Sequence, residues 1–214
     1  MRTTPIIGEY YHIYNRGTDK RDVFLSEKDM ERFLLSMSEF NTIDPIGSIY
    51  ENSFNKGELG GPTSKSESLV EFITYCLNPN HYHFILKQIA DRGISIFMQR
   101  LGTGYTMYFN EKYQRTGALF QGKYKIKHIS SNEYLLHVSA YVNLNYEVHQ
   151  LGGWTSKSSW NEYLGKPAIP FCKKDIILGQ FLSAERYGIY AKNALKDTIQ
   201  KRQEEKELDK LLLE

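Results

Sequence analysis

The chain has 214 residues, 41% of them hydrophobic and 24% charged, the make-up of an ordinary globular protein with room for one domain and an appendage. Its 27 basic and 25 acidic residues leave a net charge of +2. No apolar run approaches the roughly 18 residues that cross a bilayer, and the opening Met-Arg-Thr-Thr-Pro-Ile-Ile-Gly-Glu has no apolar signal core, so a cytoplasmic, non-membrane protein is expected. Cys76 and Cys172 are too few for a disulfide framework or a Cys-rich zinc site, and they suit a reducing compartment.

In chain order, Glu9–Asn15 alternates in β-favourable types and predicts a strand that ends at Asn15-Arg16-Gly17. Ser26, three before Asp29, opens a helix carrying Phe33, Leu34, Met37 and Phe40 at helical spacing. Residues 44–68 gather Pro, Gly, Ser, Asn and Lys and predict a flexible loop. Leu69–Leu77 and His81–Lys87 predict a hairpin about the turn Asn78-Pro79-Asn80. A second helix is expected over Ile94–Tyr113, where Gly102 and Gly104 weaken it and allow close packing. Tyr105 and Tyr108 read as packing residues of that helix.

Lys123–Ile129 predicts a strand with Lys123, Lys125 and Lys127 on one face and Tyr124, Ile126 and His128 on the other. Ser131 starts a third helix reaching to about Asn145. The order βα–ββ–αβ–α predicts an α+β protein with a ferredoxin-like split βαβ core, an antiparallel sheet and a C-terminal helical extension. Residues 1–165 are expected to form the core domain and 166–214 the extension. The extension holds a helix near Asp175–Leu182 and a charged helix from Ser183 onward. Leu195, Ile199, Leu208 and Leu211 fall near one side of that last helix, for docking on the core or on a second chain.

Three features point to chemistry. From Lys112 to Ser130 there are five basic residues and no acidic one, a local stripe that suits phosphate, although a solvated strand face would look the same. His81 and His83 stand two apart on a strand, so their imidazoles share a face and can fix a divalent metal. Two half-exposed histidines with no role would show the same spacing. Tyr141 and Asn145 lie four apart on one expected helix. A Tyr hydroxyl can attack phosphorus when a metal polarises the phosphoryl group, and Asn145 can lend a carbonyl oxygen to that metal. Packing alone would also account for Tyr141, one of 16 tyrosines. His12, His137 and His149 show no partner pattern, and Gln114 and Gln121 are unassigned.

Four segments, Tyr10–Gly17, Tyr75–Phe84, Gly117–Lys125 and Tyr141–Asn145, occur in an order that resembles the single-tyrosine HUH transposases, including the REP-associated tyrosine transposases. The resemblance spans about residues 8–165 and implies the same ferredoxin-like fold. It implies His81 and His83 as metal ligands, Asn145 in the third-ligand position, Tyr141 as nucleophile, and Mg²⁺ or Mn²⁺ as cofactor. It also implies a single-stranded DNA partner carrying a hairpin, cut through a 5′-phosphotyrosine and rejoined, with Arg16, Lys123, Lys125 and Lys127 on the DNA, and a nucleoid-associated location. Two departures concern DNA recognition. The family often continues Asn-Pro-Val-Lys where Asn145 is followed here by Tyr146-Glu147-Val148, and Lys123 stands where Arg is common, which loses a bidentate fork.

Two alternatives come from other classes. A regulator could bind hairpin DNA without cutting it, although retention of His81, His83, Tyr141 and Asn145 argues against that. An RNA-binding ferredoxin-like domain would need aromatic residues on an open sheet face. A monomer acting in cis, or a homodimer whose tyrosine helix serves the partner, both fit the sequence.

Overall fold

The computed structural model describes residues 4–47, 49, 67–151, 153–168 and 170–211, with side chains as far as 200. Most of the expected loop 44–68 lies outside the described residues. Strand β1 (Tyr10–Arg16), helix α1 (Glu27–Glu39), strands β2 (Val70–Asn78) and β3 (His81–Gln88), helix α2 (Gly93–Lys112) and strand β4 (Lys125–Ile129) follow the predicted order. The tyrosine-bearing helix α3 (Asn132–Asn143) comes next, then the short helix α4 (Asn145–Val148) and strand β5 (Lys157–Ser158). Helices α5 (Trp160–Tyr163), α6 (Asp175–Leu178) and α7 (Ala184–Leu211) complete the chain. The sheet runs β4-β1-β3-β2-β5 with every neighbour antiparallel. The first four strands give the ferredoxin-like order, and β5 is an added edge that the sequence pattern did not reveal.

Helices cover both faces of the sheet. Against one face, α1 buries Met30, Phe33 and Met37, and α2 buries Ile94, Phe97, Met98, Leu101, Tyr105 and Phe109. These pack on Tyr11, Ile13, Phe72, Tyr82, Phe84 and Leu86 of the strands. Ser26 and Asp29 complete the capping box, and the Asp29 carboxylate accepts from the Leu25 and Ser26 backbone N–H groups at 2.9 Å. Tyr105 and Tyr108 do pack: the Tyr105 hydroxyl donates to the Val23 carbonyl and Tyr108 donates to Asp29. Of the two helix glycines, only Gly104 is needed for close approach. A Cβ there would lie 2.6 Å from the Phe40 ring, whereas at Gly102 it would meet nothing.

Against the other face, α3 and α7 pack Leu135, Val138, Val142, Tyr187, Ala191 and Leu195 onto Ile73, Cys76, Ile85 and Ile129. With Ile199 partly buried beside them, α7 docks on the core, while the side chains of Leu208 and Leu211 lie outside the described residues. α1 and α2 cover one face and α3 and α7 cover much of the other, which leaves only the end around Tyr14 and Arg16 of the open aromatic face that an RNA-binding reading requires. No helix among the described residues is long and apolar enough to cross a membrane.

Candidate active site

Strand alternation and register build the floor of the site beneath α3. Arg16 pairs with His81 and His81 with Asn78, forming one row across β1, β3 and β2. The next row on the same face is Lys125, Tyr14, His83 and Cys76, and Lys127 pairs with His12 beyond it. His81 and His83 therefore share a face as the i, i+2 spacing requires, while Tyr82 and Phe84 point into the opposite core.

His81 is held from both ends. Asn80, whose amide nitrogen donates to the Lys20 carbonyl, turns its Oδ1 to His81 Nδ1 at 2.6 Å. Nδ1 is therefore the protonated nitrogen, and Nε2 carries the lone pair. The Asn78 amide donates to both Asn145 Oδ1 at 2.7 Å and His81 Nε2 at 2.9 Å. Two acceptors thus face each other, His81 Nε2 and Asn145 Oδ1, 3.0 Å apart. Burial above all pushes the His81 pKa down to about 4, with His149 and Arg16 adding to the shift and the Asn145 contact opposing it, so the imidazole is neutral at pH 7.

This donor set suits a divalent cation. Two ligands of one ion with bonds near 2.1 Å at right angles stand about 3 Å apart. Asn145 is fully buried, and its Nδ2 has no hydrogen-bond partner among the described residues. No group of three or more His, Cys, Asp or Glu side chains able to hold a metal occurs among the described residues, so a site here needs the Asn145 amide oxygen as well as the two imidazoles.

Tyr141 stands half-buried and edge-on to His83, ring centroids 5.6 Å apart, within the same chain. Its placement corrects one expectation. Tyr141 and Asn145 do not share a helix, because α3 stops at Asn143 and Leu144 turns the chain with φ −108° and ψ 14°. Asn143 anchors that turn by donating to the Tyr187 hydroxyl and accepting from Ser159 Oγ, and Asn145 is drawn down to Asn78 and His81. The two residues still converge on the histidine pair, Tyr141 at His83 and Asn145 at His81.

The basic stripe is also shorter than expected. β4 begins at Lys125, so Lys125 and Lys127 share the His83 face, with Lys127 Nζ 4.8 Å over the Tyr134 ring. Lys123 precedes the strand, after Gly122 at φ +67°, and lines a cleft with Gln99, Thr103 and Thr106 of α2. Tyr124 and His128 face away from the site, toward Ser95 and Tyr11 respectively. Arg16 is exposed on the His81 side, and its Nε donates to Gln121 Oε1 at 2.7 Å.

Four contributors escaped the sequence reading. Asn78 was read only as a turn residue, although a two-residue hairpin turn pairs it directly with His81. Asn80 fixes the His81 tautomer, Gln121 holds Arg16, and His12 contacts His83 with Nε2 3.0 Å from Nδ1. His12 had a signal: on β1 it shares the alternation of Tyr14 and Arg16. His137 is exposed, whereas His149 brings its ring to 4.7 Å from that of His81.

A helical lid over paired histidines on a ferredoxin-like sheet is the setting in which the comparisons with known proteins fall. The family model described as Transposase IS200 like matches residues 63–145, the stretch that contains His81, His83, Tyr141 and Asn145. Over that segment the chain is similar to the IS200-like transposases. Among solved structures, the chain is similar to a REP-associated tyrosine transposase bound to a REP hairpin. That likeness has 13% identity and a TM-score of 0.47, and covers 80% of this chain and 88% of that one. It is also similar to the tRNA(His) guanylyltransferase from Saccharomyces cerevisiae, at 10% identity and a TM-score of 0.34, over 89% of this chain and 75% of that one. No curated protein matches the chain.

Proposed function

We propose that the protein is a metal-dependent transposase that cuts and rejoins single-stranded DNA beside hairpins. Tyr141 is the nucleophile, and His81, His83 and Asn145 hold Mg²⁺ or Mn²⁺. The observation that carries the reading is the convergence on one sheet face of a Tyr edge-on to His83 and an imidazole nitrogen facing an amide oxygen. The family match supports the transposase class. The hairpin partner, the 5′-phosphotyrosine and the choice of Mg²⁺ or Mn²⁺ come from the resemblance of the motifs.

When bound, the cation withdraws charge from the scissile phosphoryl group and fixes its orientation. The His81 Nε2 lone pair, which accepts from the Asn78 amide here, is the one His81 would offer to a cation, with Asn78 still bonded to Asn145. Lys125 and Lys127 attract the phosphate backbone along the β4 side of the site, and Arg16 does so at the His81 end. Lys123 contacts DNA from the α2 cleft. The Tyr141 oxygen attacks phosphorus as the bond to the 3′-oxygen breaks. The tyrosine proton leaves to solvent and the departing oxygen gains one, giving a 5′-phosphotyrosine and a free 3′-hydroxyl. No water is consumed, so a 3′-hydroxyl can reverse the step and regenerate Tyr141 without another energy source.

The test is a denaturing gel. Purified protein is mixed with labelled single strands carrying hairpins from the flanks of its own gene, with Mn²⁺ or with chelator. A metal-dependent covalent adduct supports the reading. Hairpin binding with no adduct in any metal replaces it with the non-cutting regulator.

A further inference from the structure

We propose that His12 is a positioning residue that fixes the tautomer of His83, so that His83 presents its Nε2 lone pair to the cation. This rests on the metal reading above and concerns how the second histidine of the pair is set. His81 has its Nδ1 proton held by an amide oxygen of the turn, Asn80 Oδ1. His83 lies further along the same strand. Its Nδ1 instead meets His12 Nε2 at 3.0 Å, from a ring tilted only 20° from its own. That near-parallel alignment suits an in-plane N–H···N bond between two imidazoles.

One of the two nitrogens must donate and the other accept. If His83 Nδ1 donates, its lone pair is on Nε2 and both histidines of the pair present the same nitrogen. If His12 donates, the proton of His83 moves to Nε2 and the ring no longer offers that atom as a ligand. The surroundings hold the pair in place: His12 is 9% exposed, Tyr14 stacks on His83 at 5.6 Å and 21°, and Tyr141 stands edge-on to both rings. An outer partner that orients a ligating imidazole typically changes metal affinity by about 10–100-fold when removed.

The test compares wild type, His12→Leu, His12→Gln and His83→Ala. Metal-free protein is examined by long-range ¹H–¹⁵N correlation of the His83 ring, and Mn²⁺ affinity is measured by electron paramagnetic resonance. The expected result is a wild-type His83 protonated at Nδ1 and about 10–100-fold weaker Mn²⁺ binding by His12→Leu. The Gln carbonyl can accept the same proton, so His12→Gln is expected to restore affinity to within about threefold of wild type. A wild-type His83 protonated at Nε2 overturns the proposal. So does a folded His12→Leu that binds Mn²⁺ like wild type while His83→Ala weakens it. Wild type that binds no Mn²⁺, or a His83→Ala that binds unchanged, instead removes the metal reading beneath it. Should His12→Leu fail to fold, the wild-type spectrum and His12→Gln still decide the outcome.

Discussion

The two faces of the central strands carry opposite contents on the same backbone. Toward α1 and α2 they present Tyr11, Ile13, Tyr82, Phe84 and Leu86, packed among aromatic rings such as Phe33, Phe97 and Tyr105. Toward α3 they present His12, Tyr14 and Arg16 from β1, and His81 and His83 from β3. A period of two lets each strand serve as core and as site at once. The first face packs chiefly against apolar and aromatic side chains, whereas the second brings the buried amides of Asn78 and Asn145 against His81. Both faces carry a packed core, and the candidate site takes up the part of the second face around His81 and His83.

Single substitutions should separate the two. Tyr141→Phe keeps the ring that meets His83 and removes only the hydroxyl. It is expected to abolish the covalent adduct, by more than about 10³-fold or 4 kcal/mol of barrier, while shifting stability by less than about 0.5 kcal/mol. Gel assay and urea unfolding of the same preparation check both halves. On the opposite face, Phe33→Ala empties a fully buried site in ring contact with Phe24, Tyr82, Phe84 and Tyr105. Its expected cost is about 3–5 kcal/mol of unfolding free energy, with adduct formation per folded molecule close to wild type. If Phe33→Ala lost its chemistry while folded, the division between the faces would fail.

Lys112 tests the polar exception within the structural face. Its amine reaches the buried Asp29 carboxylate at 2.6 Å. Burial alone would raise the Asp29 pKa, but Lys112, Tyr113, the Leu25 N–H and Ser26 outweigh it and hold the carboxylate below its ordinary range. Lys112→Met is therefore expected to destabilise the protein by about 1.5–3 kcal/mol at pH 7. Because the folded carboxyl is depressed, its contribution is present above the unfolded pKa and disappears as pH falls through the folded one. The gap between wild type and Lys112→Met should thus narrow below about pH 4.

The fold was legible because its signals are local and periodic: the capping Ser26, the apolar stripe of α2, and the alternation of β3. The histidine pair and the Tyr141 and Asn145 positions were legible as residue types, and their grouping came from the resemblance of the motifs. What alternation could not supply was the side chains that reach across elements. His12 and Asn78 reach partners 71 and 67 residues away, His83 and Asn145, through a register set by pairings distant in sequence, whereas the Asn78 and Asn80 contacts to His81 are local to the hairpin turn. The break at Leu144 escaped for the same reason. Nothing in the local sequence stops that helix, which ends where Asn143 and Asn145 find separate tertiary partners.

The pH dependence sharpens the contrast in a metal-free setting. Burial first, then the charge of Lys127, pushes the His12 pKa down to about 4, and His81 is lowered to about 4 as well. Both would titrate near 6.5 in the unfolded chain. Between pH 6.5 and 4 the unfolded chain takes up protons that the folded chain refuses, so stability falls as pH drops through that window. Above about pH 7 it is flat. The expected loss at pH 5 is about 2 kcal/mol per histidine. Urea unfolding in chelator at pH 7.5 and 5 measures it, and His12→Asn should remove about half of the difference. An unchanged slope in that variant would show that the acid sensitivity lies elsewhere.

The smallest expected effect lies at the rim of the chemical face. Arg16 sits opposite His81, and Gln121 is tied to it twice: its side-chain oxygen accepts Arg16 Nε–H at 2.7 Å, and its backbone N–H donates to the Arg16 carbonyl at 2.8 Å. The side-chain bond uses Nε and leaves the two terminal nitrogens of the guanidinium to meet a phosphate. Gln121→Ala removes that tether but keeps the charge and the backbone bond. Binding of a hairpin-bearing strand should weaken only about 2–5-fold, with its salt dependence unchanged, because the same number of phosphates is neutralised. Arg16→Ala removes the charge itself, and should weaken binding further and lower the slope of log affinity against log salt by about one. Equal slopes for wild type and Arg16→Ala would take Arg16 off the DNA. A Gln121→Ala slope that matched Arg16→Ala would mean that the tether, and not merely the charge, brings the guanidinium to the phosphate.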